Sequence, residues 1–115
     1  MREVHHFING QLVEGRSGRH GDIFNPNTGE VQAQVQLATG DEVEAAITAA
    51  QDAFPAWAAT NPQRRARVMF EFKRLLEDNI DDLAELLSSE HGKVIADSKG
   101  DVQRGSDVVE FACGI

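Results

Sequence analysis

The chain has 115 residues, a formal net charge of −8, one cysteine and no tyrosine. That length supports one domain with a modest core, and the acidic balance argues against nucleic acid as a general partner, because a phosphate backbone calls for a basic surface. No apolar run reaches the length of a membrane span, the start Met1-Arg2-Glu3-Val4-His5-His6 lacks the apolar core of a signal peptide, and a lone Cys113 forms no intrachain disulfide, which fits a reducing compartment such as a bacterial cytoplasm.

His5 to Glu14 reads as a hairpin, with apolar pairs Phe7-Ile8 and Leu12-Val13 on either side of the turn dipeptide Asn9-Gly10. Gly15 to Gly21 reads as a mobile polar loop, and Asp22-Ile23-Phe24 resumes extended structure. Asn25-Pro26-Asn27-Thr28-Gly29 has the chemistry of a turn: proline fixes φ, asparagine caps and glycine takes positive φ. From Glu30 to Leu37 the alternation of Val31, Ala33, Val35 and Leu37 predicts a half-buried strand.

Thr39-Gly40-Asp41-Glu42 is a capping box that opens a helix with Val43, Ala46, Ile47, Ala50 and Phe54 as its inward stripe. Pro55 is expected to end that helix, since the residue before proline is pushed out of the α region. Asn61-Pro62 starts a long helix carrying Val68, Met69, Phe72, Leu75 and Leu76. Asp78-Asn79 is a candidate break, Leu83, Leu86 and Leu87 continue the stripe, and Gly92 reads as the glycine that closes the next helix. A last helix runs from about Val94 to Phe111 across Gly100 and Gly105; each interior glycine costs about 1 kcal/mol against alanine, so tertiary packing must support it.

The expected fold class is therefore α/β: a small antiparallel ribbon of three short strands over residues 1–38, then three or four helices over 39–115. So small a ribbon cannot cover every helical stripe, and most of this apolar surface calls for a partner.

Arg104 is the leading candidate for binding. It stands between Gly100 and Gly105, whose small size leaves room for a ligand, and its planar fork fits a carboxylate. The competing reading is an ordinary ion pair with Asp101 or Asp107, each three residues away. Cys113 has no evident base beside it and reads as a small packed side chain rather than a nucleophile. His5, His6, His20 and His91 lack metal-site spacing, and Arg64-Arg65-Arg67 reads as a solvated helix face.

Four segments in order and in register carry a resemblance: Phe7-Ile8-Asn9-Gly10; Asn25-Pro26-Asn27-Thr28-Gly29-Glu30-Val31; A-A-Q-D-A-F-P-A-W from Ala49 to Trp57; and Glu90-His91-Gly92-Lys93. Together they resemble the N-terminal segment of the aldehyde dehydrogenase superfamily, over about His6 to Gly114. Gly100-Asp101-Val102-Gln103-Arg104-Gly105 with Val108-Val109-Glu110-Phe111-Ala112-Cys113 is similar to the CoA-acylating methylmalonate-semialdehyde dehydrogenase branch.

The resemblance implies that this chain is the front of an NAD-binding domain. A complete enzyme of this kind would use NAD and coenzyme A to convert a small acidic semialdehyde, methylmalonate or malonate, into propionyl-CoA or acetyl-CoA. The catalytic cysteine, the Rossmann core and the dinucleotide loops would lie beyond Ile115. The segment alone would then hold no catalytic or cofactor-binding residue, would be inactive, and would have the remainder of the dehydrogenase chain and a homo-oligomer, dimer or tetramer, as its partners. Arg104 would hold the substrate carboxylate. In the wider superfamily a carboxylate before Gly-Lys and a backbone carbonyl before Asn-Pro bind a monovalent cation; Glu90 and the Ile23 carbonyl stand there, with a solvated helix-end carboxylate as the favoured reading of Glu90. Two other functions stay open: a segment of a non-acylating enzyme such as a succinate-semialdehyde dehydrogenase, and a stand-alone helical interaction module.

Overall fold

The computed structural model describes residues 1–115. They form two compact units, Met1–Ala59 and Thr60–Ile115. The division expected at residue 38 follows element type, with all strands before it and all helices after it, whereas the first unit also includes the first helix.

The first unit contains β1 (Arg2–Val4), β2 (His6–Ile8), β3 (Gln11–Val13), β4 (His20–Phe24), β5 (Val31–Gln36) and α1 (Gly40–Ala59). β2 and β3 pair as an antiparallel hairpin with Phe7 opposite Leu12. Asn9 and Gly10 both take positive φ, 53° and 76°, as a type I′ turn demands. β4 and β5 are antiparallel and joined by the expected turn. There the Asn25 side chain accepts from the Asn27 N–H at 2.9 Å, and the Asn25 carbonyl accepts from the Gly29 N–H at 2.8 Å.

β1 pairs in parallel with the other edge of β5, giving the order β1-β5-β4. The strands therefore number five rather than three, and one sheet is mixed. Arg2-Glu3-Val4 is too short to show alternation, and its partner lies far along the chain. β5 becomes a central strand, with Ala33 fully buried.

The polar loop after β3, expected to be mobile, is pinned along its length. The Gly15 N–H donates to Gln36 Oε1 at 2.5 Å, the Arg16 N–H to Glu42 Oε1 at 2.8 Å and Arg19 Nη2 to the Ala38 carbonyl at 2.9 Å, while the Ser17 hydroxyl donates to the Leu37 carbonyl. Glu42 serves both this loop and the capping box. Its Oε2 accepts from the Thr39 N–H at 2.7 Å and the Thr39 hydroxyl at 3.0 Å, and Thr39 Oγ1 accepts the Glu42 N–H at 3.2 Å. The Thr39 N–H bond, against opposition from burial, holds the Glu42 carboxyl below its ordinary range, helped by the Arg16 N–H.

α1 does not stop at Phe54. It runs through Pro55 to Ala59. Proline removes one helical hydrogen bond, but Ala53, Ala56, Ala58 and Ala59 around it are the strongest helix formers, and the helix ends just before the Asn61 cap.

The second unit holds α2 (Pro62–Asp78), α3 (Ile80–His91) and α4 (Ile95–Ala112). Asn61 caps α2 by accepting the Gln63 N–H at 2.8 Å, with Pro62 in the first turn. Asn79 separates α2 from α3, and its Nδ2 donates to the Leu75 carbonyl at 2.8 Å. Gly92 closes α3 at φ 86° and donates to the Ser88 carbonyl at 2.8 Å. α4 is continuous through both glycines and packs on α2 and α3. Its inner side is small: Ser98 and Ser106 are buried, Val102 and Val109 half-buried. Ser98 Oγ lies 2.7 Å from Ser88 Oγ, and Lys99 pairs with Asp81 of α3 at 2.6 Å. No helix is long and apolar enough to cross a membrane.

Candidate functional site

α4 turns its serines inward, and helical spacing therefore puts Arg104 on the outer side. Its side chain is 75% exposed. Val108 and Phe111, four and seven residues on, share that face and are also open, at 67% and 71%. A guanidinium thus stands beside an exposed apolar strip on one helix face. The arginine lies back along the helix over Gly100: a Cβ built on Gly100 would be in ordinary van der Waals contact, 3.7 Å, with Arg104 Nη1, and one on Gly105 would meet nothing within 4 Å.

Arg104 Nη1 donates to Asp101 Oδ1 at 2.6 Å. Of the two candidate ion-pair partners, Asp101 is the one engaged; Asp107 instead accepts from Gln103 Nε2 at 2.9 Å. The other edge of the guanidinium, Nε and Nη2, makes no hydrogen bond within the chain. The ion-pair reading of Arg104 is thus met through one nitrogen, Nη1, with the Nε–Nη2 edge left open.

Asp101 is shared. Its second oxygen, Oδ2, pairs with Lys93 Nζ, which reaches over from the α3–α4 connection. The Lys93 hydrogen bond, opposed by burial and reinforced by the charges of Lys93, Arg104 and His91, holds the Asp101 carboxyl below the usual carboxylate range. The result is a row of three charges, Lys93–Asp101–Arg104, of which the sequence suggests Arg104 and, as one of two possible partners, Asp101, but not Lys93. Lys93 precedes α4, so no helical periodicity links it to Asp101.

Ile23 lies in β4 of the first unit, opposite Ala33 of β5. Glu90 is exposed near the end of α3 in the second unit. Cys113 is half-buried at the end of α4, where its Sγ donates to the Val109 carbonyl at 3.3 Å. No group of three or more His, Cys, Asp or Glu side chains converges as metal ligands would. Arg64 and Arg67 are exposed and Arg65 is half-buried.

The helical unit with its outward arginine, following a small sheet and hairpin, matches one class of protein. Residues 12–115 fit the profile of the aldehyde dehydrogenase family, and the chain belongs to that family. Among curated relatives, the malonate-semialdehyde dehydrogenase of Pseudomonas aeruginosa is 48% identical over 113 residues, 98% of this chain and 22% of that protein. The mitochondrial methylmalonate-semialdehyde/malonate-semialdehyde dehydrogenase (acylating) of Rattus norvegicus is 44% identical over 109 residues, 95% of this chain and 20% of that protein. Among solved structures, a protein of Sinorhizobium meliloti assigned as a methylmalonate-semialdehyde dehydrogenase, crystallised with NAD, superposes with a TM-score of 0.96 at 57% identity, covering 99% of this chain and 23% of that one. The chain thus spans less than a quarter of the length of these relatives.

Proposed function

We propose that this chain is the N-terminal segment of an NAD-dependent, CoA-acylating dehydrogenase of malonate or methylmalonate semialdehyde. The observation that carries the reading is the open guanidinium edge of Arg104 on a helix face, in a chain most of whose length aligns with relatives named for those two acidic semialdehydes. Both substrates carry a carboxylate beside the reacting aldehyde. Arg104 takes that carboxylate on Nε and Nη2 as a planar two-point contact, while Val108 and Phe111 border the bound chain with apolar surface. The contact fixes one end of a short molecule, and so fixes where its aldehyde lies. NAD as hydride acceptor is supported by the NAD-bound Sinorhizobium relative, and coenzyme A as acyl acceptor by the acylating rat relative.

The test is Arg104→Leu in the full-length enzyme. Loss of a charge-assisted two-point contact should lower kcat/KM for methylmalonate semialdehyde by roughly ten- to a hundred-fold. Propanal has no carboxylate and should change little. Equal losses for both aldehydes would reduce Arg104 to an ion-pair partner of Asp101 and remove the reason for choosing an acidic substrate.

A further inference from the structure

The row Lys93–Asp101–Arg104 poses an electrostatic problem. Asp101 holds one corner of the Arg104 guanidinium and so limits the swing of a long, exposed side chain. The same carboxylate charge would, alone, cancel the arginine's charge and repel an incoming carboxylate. Lys93 pairs with the other oxygen of Asp101, and the three groups together keep one net positive charge. Lys93 is itself mostly covered, with 23% of its side chain exposed, so it is held against Asp101 rather than free to meet the ligand.

We infer that Lys93 is a specificity-determining residue: by neutralising Asp101 it lets Asp101 orient Arg104 without cancelling the attraction of Arg104 for a substrate carboxylate. This rests on the reading of Arg104 as the partner of that carboxylate. Lys93 and Asp101 are positioning residues here, since both act through Arg104. A merely structural Lys93, tying the α3–α4 connection to α4, would matter equally for acidic and neutral aldehydes. A charge-balancing Lys93 matters only for acidic ones, and its loss is repaired by removing the charge that it balances.

The experiment measures KM and kcat of the full-length enzyme for malonate semialdehyde and propanal in four variants. Lys93→Met should raise KM for malonate semialdehyde about three- to ten-fold, the effect of one uncompensated charge near the ligand, with kcat and the propanal constants nearly unchanged. Lys93→Met/Asp101→Asn should recover most of the loss, because the asparagine amide oxygen still accepts from Arg104 Nη1 but carries no charge. Lys93→Arg should keep the wild-type preference. Equal effects of Lys93→Met on both aldehydes, or a double variant no better than the single, would overturn the inference. Arg104→Leu separates the two levels. If it leaves the acidic-to-neutral preference intact, the reading of Arg104 itself falls. If it abolishes that preference while Lys93→Met does not alter it, only the role of Lys93 falls.

Discussion

The seam between α3 and α4 fixes the helix that displays Arg104, and one neutral hydrogen bond joins the last turn of α3 to the first turn of α4. Ser98 is fully buried, and its Oγ is 2.7 Å from that of Ser88, which is half-buried. Removing one hydroxyl forfeits the bond and leaves its partner without one. For Ser98→Ala the stranded group is the partly accessible Ser88 hydroxyl, and the expected cost is about 1–2 kcal/mol. For Ser88→Ala the stranded group is the Ser98 hydroxyl, which no water reaches, and the cost rises to about 2–3 kcal/mol. Ser88→Ala/Ser98→Ala leaves two methyl groups facing each other with no orphaned polar atom, so the double variant should be less destabilised than Ser88→Ala alone. The coupling between the two positions is then about 1–2 kcal/mol and opposite in sign to simple addition. Urea unfolding of the chain, followed by far-ultraviolet circular dichroism, gives all four values from the midpoints. Additive costs would mean that the two hydroxyls do not bond to each other, and a cost-free Ser98→Ala would mean that the seam is hydrated.

Glu42 accepts backbone donors in its charged form and has its folded pKa below the ordinary 4.5. Its contribution is therefore complete above about pH 4.5 and fades as pH falls through the depressed folded value. Glu42→Gln should melt lower than wild type at neutral pH, with the difference closing in acid; a gap constant from pH 7 to about pH 3 would contradict the capping role. Gly105→Ala places a methyl in open space within a helix and should stabilise by about 1 kcal/mol, whereas Gly92→Ala forces a side chain into φ 86° and should cost about 1–2 kcal/mol; thermal melts with the same sign for both would refute this. Arg104→Lys keeps the charge and loses the planar fork, so kcat/KM for methylmalonate semialdehyde should fall between those of wild type and Arg104→Leu; full activity of the lysine variant would show that charge alone suffices.

The elements legible in the sequence are those whose cause lies within about four residues. Asn9-Gly10 makes its own turn, Thr39 and Glu42 bond to each other, Asn61 caps the helix that begins at Pro62, and Gly92 closes the one before it. Pro55 does not end α1 as its own local effect predicts, because the alanines around it favour the helix. The long α2 stripe was legible as apolar but not as two faces: Met69 and Leu76 are half-buried, while Val68, Phe72 and Leu75 stay open. β1 was invisible because three residues carry no period, and its ladder to β5 exists only once the chain has folded.

The candidate site divides along the same line. Arg104 was legible as a residue, since its type and its glycine neighbours are local facts. Its state was not. Asp101 and Asp107 are both three residues from it, and spacing alone makes them equal partners. The choice between them goes with their other partners: Asp107 accepts from Gln103, one helical turn before it, and Asp101 pairs with Lys93, which lies outside the helix and which periodicity does not weigh. Which edge of the guanidinium remains open follows from that choice, and so does the net charge that a ligand meets. A candidate for binding can thus be picked out by its type and spacing, but the charge it presents is a property of its neighbours in space. Substitutions at Lys93 and Asp101 are therefore expected to tell more about substrate preference than helical spacing from Arg104 alone suggests.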